Sequence, residues 1–210
     1  MKMGKMIAAV GVIALAGMAQ AADPVSVPVI STFDTDTDGW TTTQEPITWS
    51  STGGNPGGYV DFDDPGSGVV TTIQAPDKFY GDWSALDGVG FIEFDHKIFS
   101  QDSDDYIEYY VHIQGGGLLA EWFGPLALGP TDWWTLSVPL IESEWSMPSG
   151  SWSDLLGNVY YLAICIETVE AIGSDPLDHD GIDNVRLTPE PATFSLVALG
   201  GLALLRRKRR

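Results

Sequence analysis

Cysteine is almost missing from this sequence. Cys165 stands alone among 210 residues, so no disulfide can form within the chain. Cations are scarce too: ten Lys and Arg face 29 Asp and Glu. Seven of the ten cluster at the ends, which leaves Lys78, Lys97 and Arg186 in between. Residues 22–188 therefore carry 28 acids against three cations, a net charge of −25. Such a surface repels nucleic acid and anionic membrane, and it attracts divalent cations. Catalytic signatures are lacking as well. No G-x-S-x-G elbow occurs, and His96, His112 and His179 show no metal-ligand spacing. The chain is expected not to be an enzyme. Some carboxylate pair at glycosidase spacing arises by chance among so many acids, so a glycoside hydrolase stays as the remoter alternative.

Long apolar runs occur only at the two ends. Lys2 and Lys5 precede the run Met6–Met18, and Ala19-Gln20-Ala21 follows it. Charged, apolar and small segments in that order make a secretory signal peptide, expected to be cut after Ala21. At the other end Pro189-Glu190-Pro191 precedes the apolar run Ala192–Leu205 and the basic cluster Arg206–Arg210. Both apolar runs are expected as short helices outside the folded domain. The second holds 14 residues. As a helix it reaches roughly 21 Å, short of a ~30 Å hydrocarbon core. It suits a segment held in the membrane transiently, with the cations kept on the cytoplasmic side. Tripeptide, run and cluster together resemble the PEP-CTERM sorting tail of Gram-negative bacteria. That resemblance implies a membrane processing enzyme of the exosortase type as a partner, and delivery to the cell envelope, cell surface or extracellular space. An ordinary short tail anchor is the alternative. The chain thus divides into a signal peptide (1–21), one domain (22–188) and a sorting tail (189–210).

Within the domain, apolar residues recur at every second position. Ile92, Phe94, His96 and Ile98 alternate with Glu93, Asp95 and Lys97. Ile107, Tyr109, Val111 and Ile113 alternate with Tyr106, Glu108, Tyr110 and His112. Trp134, Leu136, Val138 and Leu140 alternate with Trp133, Thr135, Ser137 and Pro139. Period-two alternation predicts strands with one face in a core and the other toward solvent. Tyr160–Val169 is apolar on both faces for most of its length and reads as a central strand. Cys165 lies in it and is expected to pack as a small hydrophobe. One helical turn is predicted at Ser153–Leu156, with Ser153 as its N-cap. The fold class is all-β, an antiparallel two-sheet jelly-roll sandwich.

Ala75–Ala85 (APDKFYGDWSA), Gly90–Asp95 (GFIEFD), Trp134–Leu140 and Trp152–Ile166 resemble the laminin IV type A (laminin B) module in content and order. The close, Asp180–Leu187 (DGIDNVRL), is similar to the last strand of galactose-binding-like jelly rolls. Tyr80 departs from the pattern, standing where a leucine is usual, and no cysteine-rich repeats flank the module.

Two acidic loops carry the best chemistry. Asp34-Thr35-Asp36-Thr37-Asp38-Gly39, followed by Glu45, fits the D-x-D-x-D-G-x5-E ligand spacing of a calcium loop. Extended flanks and Pro46 argue against a helix–loop–helix, so a strand-end loop is expected. The second loop is Asp178–Asp183. The resemblance to jelly rolls implies a structural Ca2+ bridging first and last strands, with Asp34 and Asp183 on it. Solvated turns are the alternative for both loops. Eight tryptophans lie in the domain. Trp83, Trp122, Trp133, Trp145 and Trp152 fall in or beside Gly/Ser/Pro-rich segments; Trp83, Trp122, Trp133 and Trp145 are the candidate sugar-stacking rings, and all five can equally seal the core. The expected function is non-catalytic binding of extracellular glycan or matrix. A purely structural biofilm or surface-layer role is the alternative.

Overall fold

The computed structural model describes residues 22–42, 46–64, 70–101, 105–129, 131–169 and 178–190. The signal peptide with Ala21, Glu45, Pro191 and both apolar end segments lie outside the described residues. Among the described residues no helix is long and apolar enough to cross a membrane.

The chain folds as two antiparallel sheets with a shared core. In order the strands are β1 (Val29–Ser31), β2 (Thr41–Thr42), β3 (Thr48–Gly54), β4 (Gly57–Asp64), β5 (Thr71–Gln74), β6 (Gly90–Ser100), β7 (Tyr106–Gly115), β8 (Leu118–Phe123), β9 (Trp134–Pro139), β10 (Val159–Val169) and β11 (Asp178–Pro189). One sheet runs β3-β4-β11-β6-β9, and β1 also pairs with β11. The other runs β2-β5-β10-β7-β8. This is the jelly-roll sandwich expected from the alternation. Ile92, Phe94, His96 and Ile98 of β6 are buried, as are Ile107, Tyr109, Val111 and Ile113 of β7. Because the side-chain period is two, burying one set fixes register and leaves the other set outward. β10 sits between β5 and β7, and Leu162–Ile166 is buried on both faces.

A polar pair is buried on the core side of the six-stranded sheet, between β6 and β11. His96 Nε2 lies 3.1 Å from Asp180 Oδ1, with both side chains fully buried. His96 Nδ1 and the Tyr109 hydroxyl share a hydrogen bond of 2.7 Å. Burial raises the Asp180 carboxyl above its usual range, and His96 works against that rise.

The helical turn is α1, Trp152–Leu156. Its N-cap is Ser151 rather than Ser153: the Ser151 hydroxyl accepts the Asp154 N–H. The cap falls earlier because Trp152 is itself in the helix and buried, pulling the first turn onto the core.

The way β11 is flanked positions the acidic residues. β4 pairs with its first half, Asp178–Ile182, and β1 with its second half, Val185–Leu187. The two share one edge end to end, and the handover falls at Asp183-Asn184. A register shift lies there, and Asn184 has φ 49°. Asp34 follows β1 closely, and Gly57 opens β4. The topology thus gathers three distant segments around Asp183.

Candidate functional site

Asp183 Oδ2 accepts the Asn55 N–H at 2.6 Å, and Oδ1 accepts the Asn184 N–H at 2.6 Å. Asp95 lies opposite Asp183 in register. It accepts from Asn55 Nδ2 at 3.0 Å, Asn184 Nδ2 at 2.9 Å and the Thr135 hydroxyl at 2.5 Å. The hairpin tip Gly53–Gly58 covers this cluster, and its glycines allow the approach. A Cβ on Gly57, at φ 93°, would stand 2.5 Å from Asp34 Oδ1; one on Gly54 would stand 2.8 Å from Asp183 Oδ2. Asp34 also accepts the Thr32 hydroxyl at 2.7 Å.

Three carboxylates therefore share one corner, and among the described residues no cation is paired with them. The three cations of the domain are engaged elsewhere. Lys78 pairs with Asp38 and Arg186 with Glu93, while Lys97 stands 4.6 Å over the Phe99 ring. The Asp183 carboxyl is pushed up to about 6, first by burial and then by Asp95 and Asp34, against the pull of its two backbone donors. An unfolded aspartate titrates near ~3.9. The folded state thus holds a proton across a window where the unfolded chain releases it. The resulting stability is fully present below about pH 4 and is lost as pH rises through about 6. Melting in calcium-free buffer is expected to show a loss on the order of 1 kcal/mol between pH 4 and 7, after allowance for solvent screening. Asp183→Asn should flatten that dependence.

The D-x-D-x-D loop does not converge as its spacing suggests. Asp36 Oδ1 caps the Asp38 N–H at 2.7 Å, and Asp38 pairs with Lys78, which also donates to the Ile30 carbonyl. Asp34 alone turns toward Asp183. Among the described residues no group of three His, Cys, Asp or Glu side chains is disposed to hold a metal ion. Of the three carboxylates at this corner Asp95 already accepts from Asn55, Asn184 and Thr135, which leaves Asp34 and Asp183 as the candidate donors. All-oxygen donors suit a hard cation such as Ca2+.

The tryptophans divide. Trp83 is fully buried, its indole N–H donating to the Phe79 carbonyl at 2.9 Å. Trp145 is buried, donates to the Pro139 carbonyl at 2.8 Å and packs on Trp152. Trp122 pairs in register with Val111, on the core side of β8, and packs against the core. These three seal the sandwich. Trp133 lies on the outer side of the six-stranded sheet, edge-on to Tyr59 and Phe99, with its N–H on the Gly53 carbonyl.

A second aromatic surface occupies the outer face of the five-stranded sheet. There the register sets Tyr161, Cys165 and Glu167 of β10 beside Gln114, Tyr110 and Glu108 of β7. Glu121 and Phe123 of β8 stand beside His112 and Tyr110. The Tyr110 and Phe123 rings meet edge to face at 5.4 Å, and the Tyr110 hydroxyl donates to Glu108. His112 Nε2 lies 3.2 Å from Glu121, and its Nδ1 lies 3.6 Å from Cys165 Sγ. That line imitates a nucleophile–base–acid relay, yet Cys165 is fully buried and burial pushes its thiol up to about 11. Burial also lowers His112. Such a thiol supplies no thiolate at neutral pH, and it packs as the small hydrophobe expected. This face was legible in the polar half of Tyr106–Gln114, where tyrosines alternate with core residues.

Residues 187–210 match the PEP-CTERM protein-sorting motif. The motif marks an exported protein sorted to the cell surface or extracellular space. A search of curated proteins found no match. Among solved structures, an agarase is similar at TM-score 0.54 and 14% identity, over 80% of this chain and 27% of that one. An exo-beta-agarase is similar at TM-score 0.52 and 12% identity, over 76% of this chain and 25% of that one. This chain thus spans about a quarter of either agarase. The family 11 carbohydrate-binding module of Clostridium thermocellum, in complex with a β-1,3-1,4-mixed-linked tetrasaccharide, is similar at TM-score 0.50 and 14% identity. That likeness covers 78% of this chain and 95% of the module. At these identities the likeness is one of fold. The laminin IV resemblance rests on the quoted residues alone.

Proposed function

We propose that this exported domain binds a neutral polysaccharide without catalysis, on the outer face of the β2-β5-β10-β7-β8 sheet. The observation that carries the reading is the row of Tyr161, Tyr110 and Phe123, interleaved with Glu108, His112, Glu121 and Gln114. Aromatic rings offer apolar platforms to the C–H faces of sugar rings. Carboxylates, amide and imidazole take the hydroxyls, the mix of apolar platform and few placed polar groups that ligand sites use. Among the described residues no lysine or arginine lies on this face, so sulfated and uronic chains are disfavoured. The fold it shares with a carbohydrate-binding module supports the reading. In this role Trp83, Trp122 and Trp145 are structural, and Trp133 belongs to the opposite sheet.

Ca2+ at Asp34 and Asp183 is the structural part of the proposal. It would neutralise the corner where β1, the β3–β4 hairpin and β11 meet, and no step of glycan binding passes through it. The signal peptide and the sorting tail bring the domain out, with an exosortase-type enzyme acting on the tail.

A glycan array probed with residues 22–190 is expected to show selective binding to neutral chains over acidic ones. Tyr161→Ala should weaken that binding by about tenfold at unchanged melting temperature, as a central aromatic contact does. Uniform background signal on the array would instead favour a purely structural surface role.

A further inference from the structure

The sorting motif and the folded domain share residues. The motif begins at Leu187, which is fully buried and pairs with Ile92 on one side and Val29 on the other. Thr188 pairs with Phe91, and its hydroxyl reaches Glu93 at 3.4 Å. Pro189, first residue of the tripeptide, is still in β11, opposite Gly90. Glu190 donates its N–H to the Val89 carbonyl at 2.5 Å. The boundary expected between Thr188 and Pro189 therefore falls inside a strand.

The receiving loop is itself held firmly. Gly88 donates to the Leu140 carbonyl, Val89 to the Leu86 carbonyl, and Leu140 to the Gly90 carbonyl. A Cβ on Gly90 would stand 2.6 Å from the Leu86 Cβ, so the loop is packed against the short helical turn Ser84–Leu86. Two of the three tripeptide residues thus rest on a hydrogen-bonded, closely packed seat. Enzymes that read extended segments commonly take up the segment's main-chain groups, and here the sheet already uses the Glu190 N–H.

We propose that the folded domain restrains its own sorting signal. The processing enzyme competes with Val89 for Glu190 and gains the tripeptide only when the end of β11 frays. The inference concerns the tail and stands whether or not the domain binds glycan.

The test follows the full chain by pulse-chase in cells that process it. A flexible linker of about six Gly and Ser residues is inserted between Thr188 and Pro189, which frees the tripeptide and leaves it intact. Conversion to the shorter form is expected to accelerate about fivefold, the equilibrium worth of one net backbone hydrogen bond. The same linker inserted between Gly116 and Gly117 should leave the rate unchanged. Equal rates for the Thr188–Pro189 linker and the native chain would overturn the proposal. Hydrogen exchange on the native chain tests it without any variant: the Glu190 amide should exchange about fivefold more slowly than an open peptide. Free exchange there would overturn it equally.

Discussion

Replacing Trp83 by alanine is expected to destabilise the domain by about 3–5 kcal/mol, a large share of the ~5–15 kcal/mol that holds a typical domain folded. The indole is fully buried, its N–H is bonded to Phe79, and the Trp83 backbone N–H reaches the Leu156 carbonyl at 2.7 Å. Removing it opens a cavity where the Asp77–Leu86 segment seats on the core, beside the fully buried Phe79. Urea denaturation followed by circular dichroism measures the loss. A ring that stacked on sugar would behave in the opposite way, losing binding and keeping stability. Retained stability in Trp83→Ala would move this residue back to the surface. Tyr161→Ala is the companion, with binding lost and stability kept.

Calcium is expected to raise the melting temperature by about 5–10 °C. The figure follows from ~2.7 kcal/mol at an ion concentration 100-fold above its dissociation constant and ~2–4 °C per kcal/mol for a chain of this size. The expectation rests on the corner where Asp183 is buried beside Asp95 and Asp34: burial first, and then the repulsion of the two carboxylates, raises its carboxyl to about 6. A hard cation turns that repulsion into attraction and ties β1 to β11 in a chain without disulfides. The gain should vanish in EDTA and in Asp183→Asn, and it should remain in Asp36→Asn, whose carboxylate is occupied locally. With calcium bound, the decline in stability between pH 4 and 7 should also disappear. Equal melting temperatures in calcium and EDTA at pH 7 would remove the ion from the account.

Strands buried on one face announced themselves in the sequence. β6, β7 and β9 were legible because alternation and burial share one period, and β10 because a strand covered on both faces has no polar set. The first five strands were less legible for a physical reason. β3 is mostly exposed and β1 is only three residues long, so neither carries a periodic signal. Asp95 sits in the outward set of β6 and reads as a solvated residue; the hairpin tip that covers it lies 40 positions away at Asn55. Pairs such as Asn55 and Asp183, 128 positions apart, have no local signature. The doubled glycines around Asn55-Pro56 were the available sign, since backbone pressed against carboxylates leaves no room for a Cβ. Trp83 and Trp145 misled because Gly, Ser and Pro mark turns, and a turn whose carbonyls accept an indole N–H can be buried.

Chemical-shift mapping of the isotope-labelled domain, titrated with the neutral glycan that binds best on the array, tests the binding face most directly. Shifts centred on Tyr110, His112, Tyr161 and Glu167, on β7 and β10, are expected. Shifts confined to Trp133, Phe99 and His179 on the opposite sheet would contradict that placement.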